Sequence, residues 1–254
     1  MTIYDAILLG VIQGITEFLP ISSSGHLVLV QEILGVNTPG NVFEVVTHLG
    51  TLLSVIIVFW KDLSLILNSI QKNETQKYII YLVLGTLPAV IIGLTGKNYI
   101  SGLFDSIPMV AGSLIFTGIV LLLSQKFNEK DKPLNWKKSI VIGLTQAIAM
   151  IPGISRSGMT ISTGLGLGIS GKNAAKFSFL LAIPAIAGAG LVTALDIQPG
   201  NISIPTFQLL LAFFSALIVG VFSLKWLLGL LESGKFHRFG YYCVAVGLIT
   251  YLVI

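Results

Sequence analysis

Gln13 and Glu17 stand four residues apart, Ser23 and His26 three apart, and Arg156 lies far downstream in an otherwise apolar stretch. On a helix a spacing of four puts Gln13 and Glu17 on one face, and a spacing of three does the same for Ser23 and His26 if a helix begins at the serines. A hydroxyl, an imidazole, a carboxylate and a guanidinium suffice for phosphoryl transfer, as nucleophile, proton carriers and anion clamp. Arg156 is flanked by Ser155, Ser157 and Thr160, and the earlier cluster adds Ser22 and Ser24. Taken singly, each serine is an ordinary N-cap and Arg156 an ion-pair partner for Glu17. As a cluster at the starts of helices, with free backbone N–H groups and the positive dipole end, they form a cup suited to phosphate. A carboxylate beside such a cup is unfavourable unless it binds a metal or handles a proton, which points to catalysis rather than simple binding.

These residues must be positioned by membrane-embedded elements. Of 254 residues, 54% are hydrophobic and 10% charged, against about 25% charged in a soluble domain. The mean hydropathy is +0.91. An all-α integral membrane protein is the expected class, with one membrane domain over 1–254. Six segments read as spanning helices: 45–60, 78–96, 107–124, 177–195, 206–229 and 239–254. Two further apolar stretches, 3–34 and 139–169, are each broken by Pro, Gly and serines, as LPISSSGH and IPGISRSG. Irregular backbone at membrane depth is tolerated where it lines a polar chamber. An Arg at that depth costs about 2.5–3.5 kcal/mol on insertion scales and calls for a partner or a role.

The two broken stretches match at a constant offset of 133 residues, pairing Gly10 with Gly143, Gln13 with Gln146, Ser22 with Ser155, Ser24 with Ser157 and Gly25 with Gly158. This is read as an internal repeat. Lysines crowd 61–77 and 125–138, whereas 97–106 has one and 196–205 has none, so the first pair is expected inside and the second outside. Lys172 and Lys176 put the far end of the second broken stretch inside as well. Both broken stretches are then re-entrant hairpins, dipping in from opposite faces. Each half, about 1–124 and 139–254, is one hairpin plus three spans in inverted topology, an architecture that sites function where the broken helices meet.

The net charge of +4 speaks to topology, and no nucleic-acid partner is expected. Cys243 is alone, which excludes an internal disulfide, and reads as a packing residue. The N-terminus lacks a basic region and a small-residue cleavage site, so no removable signal peptide is expected. GLGLGIS at 164–170 follows no strand and reads as close helix packing rather than a phosphate loop. AIPAIAGAG at 182–190 reads the same way.

QGITEFLPISSSGH and PGISRSGMT closely resemble the two signature motifs of the undecaprenyl-diphosphate phosphatase (bacitracin-resistance) family, and FEVVTHLGT at 43–51 extends the likeness over essentially the whole chain. The resemblance implies hydrolysis of undecaprenyl diphosphate to undecaprenyl phosphate and inorganic phosphate, recycling the lipid carrier of cell-wall synthesis, with a divalent cation such as Mg2+. It also implies bacitracin resistance, since that antibiotic sequesters the diphosphate. It places the family's acidic element on Gln13 and Glu17, its serine–histidine element on Ser23 and His26, and its arginine on Arg156. Glu17, Ser23, His26 and Arg156 are thus the expected catalytic residues. Gln13, Ser22, Ser24, Ser155, Ser157 and Thr160 are expected to bind substrate, and Glu17 to hold the metal. Gln13 departs from members with two glutamates, so a metal would rest on Glu17 and substrate oxygens. His48 stands where many members have Gln, and no role is attached to it. Ser23 is the preferred nucleophile, with a phosphohistidine route through His26 as the competitor. The expected setting is a bacterial plasma membrane, among membrane lipids, with the site open to the external face; a homo-oligomer is compatible with this reading. A polyprenyl-phosphate transporter or flippase is the alternative, because inverted repeats with broken helices are also transporter architecture.

Overall fold

The computed structural model describes residues 1–36, 42–104, 106–127, 131–196 and 204–253. All regular structure among them is helical. In the first half these are α1 (Ile3–Thr16), α2 (Ser23–Leu34), α3 (Val42–Val58), α4 (Trp60–Asn68), α5 (Asn73–Thr95), α6 (Lys97–Leu103) and α7 (Ile107–Ser124). In the second half they are α8 (Trp136–Ile148), α9 (Arg156–Gly166), α10 (Gly171–Asp196), α11 (Thr206–Glu232) and α12 (Phe239–Val253).

Among the described residues four helices are long and apolar enough to cross a membrane: α5, α7, α10 over Gly171–Thr193, and α11. They coincide with four of the six expected spans. The expected first span differs, because α3 bends by 68° into α4, and the pair together gives a fifth crossing if counted as one. The expected last span, α12, is 15 residues long. Two segments read as connections, 61–77 and 97–106, contain helices α4 and α6 instead. Asp62 of α4 pairs with Lys176 of α10, which ties the bend to the far half. Large apolar side chains such as Ile91, Phe222 and Leu252 face outward, as a lipid-facing surface requires.

Both broken stretches are helix–turn–helix units, α1–α2 and α8–α9. Pro20 and Pro152 lie in the turns, and the serines Ser22 and Ser155 cap the second helices by accepting the N–H of Gly25 and Gly158. Around them α1 packs along α11, α8 along α5, α12 along α7 and α10 on α3. Glycine makes the first two contacts possible. A Cβ on Gly10 would lie 2.5 Å from the Ala212 carbonyl oxygen, and one on Gly143 would collide with the Gly85 carbonyl. Ser139 Oγ donates to the Tyr81 carbonyl along the same α8–α5 seam. Within GLGLGIS, a Cβ on Gly164 would come 2.8 Å from the Ala174 Cβ, so that glycine serves close packing against α10. In AIPAIAGAG, Gly190 faces Leu49, but Gly188 meets nothing within 4 Å.

Candidate active site

The two turns touch backbone to backbone: a Cβ on Gly25 would sit 3.0 Å from Gly153 Cα. Thr117 of α7 fastens the second turn, donating to the Gly153 carbonyl at 3.0 Å and accepting from the Ser155 N–H at 3.1 Å. Phe18, fully buried, fixes the first turn by an edge-on contact with Phe179 of α10 at 5.7 Å. The neighbouring residue, Glu17, is thereby held at the junction.

Glu17 is the centre of the site. One carboxylate oxygen, Oε1, accepts from Arg156 Nη2 at 2.6 Å. The other, Oε2, accepts from Ser23 Oγ at 2.7 Å and from Gln13 Nε2 at 3.1 Å. His48 Nε2 approaches the same oxygen at 3.4 Å, while its Nδ1 bonds the Glu44 carbonyl at 2.6 Å. Arg156 also reaches the Ser178 carbonyl at 3.4 Å and lies over the Phe179 ring at 5.8 Å. The guanidinium has five N–H donors, so these contacts leave donors for an incoming anion. Losing either partner of this buried pair would strand the other charge, at a cost of about 3–5 kcal/mol.

The remaining expected residues divide. Ser22 and Ser24 share a hydroxyl contact at 3.3 Å, as do Ser155 and Ser157. Ser157 also donates to the Leu19 carbonyl at 3.4 Å, linking the second break to the first. Thr160 is turned to its own helix and to Ser178 Oγ at 2.6 Å. His26 does not meet Ser23. Its Nδ1 lies 2.8 Å from the Ser22 carbonyl oxygen and its Nε2 2.9 Å from the Tyr242 hydroxyl. Sequence reasoning missed His48 and Tyr242. The Glu44–His48 spacing of four was a readable signal for the first; nothing local marks Tyr242, which is 216 residues from its partner.

Among the described residues no group of three or more His, Cys, Asp and Glu side chains gathers as a metal nest. Gln13 Oε1, however, is buried beside Glu17 without a hydrogen-bond partner. One carboxylate plus one orphaned carbonyl oxygen fits a hard cation that takes its other ligands from phosphate and water.

Fold and site together define a polytopic α-helical membrane protein with an internal polar centre built from a carboxylate, a hydroxyl and a guanidinium. The chain belongs to the bacitracin resistance protein BacA family, whose model matches residues 6–249. It is 40% identical over 257 residues to the undecaprenyl-diphosphatase of Halothermothrix orenii, covering 100% of this chain and 98% of the relative. It is 38% identical to the undecaprenyl-diphosphatase of Methanosphaera stadtmanae, covering 100% and 98%. To that of Bacteroides thetaiotaomicron it is 36% identical, covering 98% and 97%.

Proposed function

We propose that this multi-pass membrane protein hydrolyses undecaprenyl diphosphate to undecaprenyl phosphate and inorganic phosphate, returning the lipid carrier to cell-wall synthesis and conferring bacitracin resistance. The observation that carries the chemistry is Glu17, which joins Ser23 on one oxygen to Arg156 on the other. Ser23 Oγ attacks the terminal phosphorus, its proton passes to Glu17 Oε2, and undecaprenyl phosphate leaves with the bridging oxygen. Water then attacks the phosphoserine; Glu17 returns the proton it holds to Ser23 Oγ, the water oxygen leaves in inorganic phosphate with one of its protons, and the other water proton passes to solvent, so that Ser23 and Glu17 end as they began. Arg156 binds the phosphoryl oxygens through the donors that Glu17 does not use. Ser22, Ser24, Ser155 and Ser157, at the starts of α2 and α9, line the anion cup. His26 is less suited to the nucleophile role, since both ring nitrogens are engaged.

A divalent cation, Mg2+ first, would be held by Glu17 and Gln13 Oε1 and would supply charge neutralisation on the diphosphate. The reading also takes the chain as one membrane domain of two inverted halves with six spans, opening to the external face. Its support is the exchanged helix pairing, in which α1 of the first half lies on α11 of the second and α8 of the second on α5 of the first. Phosphate release by purified protein given a prenyl diphosphate, with and without chelator, tests the function. No release under either condition would end the proposal.

A further inference from the structure

Ser22 carries an unusual backbone. Its φ of 69° and ψ of 101° lie in the left-handed half of conformational space, where a non-glycine residue is strained. Among the described residues the other such case is Asp131. Capping does not explain it. Ser155, 133 positions later, caps α9 through the same Oγ to N–H contact with an ordinary φ of −78°.

What differs is the residue four positions on. Met159 gives the Ser155 carbonyl one backbone bond at 2.9 Å. His26 gives the Ser22 carbonyl two, from its backbone N–H at 3.2 Å and from Nδ1 at 2.8 Å. A carbonyl oxygen only accepts, so Nδ1 carries the proton. In the neutral ring Nε2 is then left as an acceptor, and the Tyr242 hydroxyl donates to it. The two rings lie nearly parallel, 9° apart with centroids at 5.6 Å. Cys243, the next residue of α12, places its Sγ 3.6 Å from the Pro20 carbonyl oxygen. The last helix therefore fastens the first turn at two adjacent residues.

We propose that Tyr242 is a positioning residue of the site: its hydroxyl fixes His26, and His26 holds Ser22 in the left-handed conformation that delivers the Ser23 hydroxyl to Glu17. The inference rests on the reading of Ser23 as nucleophile. Tyr242 touches none of the reacting atoms and acts through two intermediaries.

The test is Tyr242→Phe in the full chain purified in detergent, a change that keeps the ring and removes the hydroxyl. A misplaced nucleophile loses on the order of 10- to 100-fold in rate. The expected result is that loss in kcat with KM unchanged, while Tyr241→Phe behaves as the unmutated protein. Glycine adopts a positive φ without strain, so in a Ser22→Gly background the Tyr242→Phe effect should shrink to a small factor. An equal effect in both backgrounds overturns the proposal, as does an unchanged kcat or a change in KM alone. Nitrogen-15 spectra of His26 in the unmutated protein supply an arm that needs no turnover and no variant that folds. The Nδ1-protonated neutral ring is expected, and an Nε2-protonated neutral ring overturns the inference. Absence of phosphate release from the unmutated protein would fall on the proposed function, and the spectra would still decide whether the Tyr242 hydroxyl donates to His26.

Discussion

Glu17 and Ser23 lie on opposite sides of a helix break, yet Ser23 Oγ reaches Glu17 Oε2 at 2.7 Å. The turn folds the start of α2 back onto the end of α1, so the carboxylate is the acceptor that the serine hydroxyl meets. Glu17→Gln keeps the shape and removes both the base and the counter-charge of Arg156. Phosphate release should fall by about 10²–10⁴-fold, measured on variant protein whose insertion and folding have been checked. Activity within a few-fold of the unmutated protein would remove Glu17 from proton transfer.

Arg156→Lys should recover little of what Arg156→Ala loses. A lysine offers a point charge, whereas the guanidinium serves Glu17 and the Ser178 carbonyl at once and still has donors for phosphate. Steady-state phosphate release by the two variants checks this. A lysine variant near full activity would show that charge alone is needed.

Acid quenching during turnover of terminally labelled substrate should leave label on Ser23, because phosphoserine survives acid and phosphohistidine does not. Ser23→Ala should lose both label and turnover. Label that survives only alkaline quenching and maps to His26 would move the nucleophile, and no label under any quench would favour direct attack by water.

The two glycine crossings predict matched damage. Gly10→Ala pushes a methyl against the Ala212 carbonyl, and Gly143→Ala pushes one against the Gly85 carbonyl. Each should destabilise by about 1–3 kcal/mol through overpacking, read as a lowered Tm in detergent. Gly188→Ala, where a Cβ meets nothing, should leave Tm unchanged.

Orientation can be read from thiol labelling in a Cys243→Ser background. Tyr99→Cys, on the exposed side of α6, should react with an impermeant reagent in intact cells, and Ser233→Cys, beside Lys235 and Arg238, should not. The opposite pattern would place the site on the cytoplasmic face.

The turns were legible because Pro20 and Pro152 disfavour continuing the preceding helix and the serines that follow can cap a new one. Four spans were legible because their apolar runs match bilayer thickness. The 68° bend at Phe59 was not, since no Pro or Gly marks it and α4 is held by a distant ion pair, Asp62–Lys176. The residues of the site were readable by type, and so were the pairings of Glu17 with Gln13 and with Arg156, but the partners of Ser23, His26 and His48 were not. Spacing put His26 with Ser23, whereas the imidazole bonds the Ser22 carbonyl and the Tyr242 hydroxyl, and His48 joins Glu17 only because α3 packs beside α1.

The contact of Gly25 with Gly153 sets two near-copies of one motif against each other. Where the copies agree, at Ser22 and Ser155 or Ser24 and Ser157, they build the same frame twice. Where they disagree, they have taken up different trades: Glu17 answers to Met150, Ser23 to Arg156 and His26 to Met159. The acid and hydroxyl belong to one copy and the cation to the other. Two identical motifs would have placed two serines and no arginine at this pair of positions, or two arginines and no serine. The hydroxyl and the guanidinium are brought together by the difference between the two motifs, and neither motif holds both.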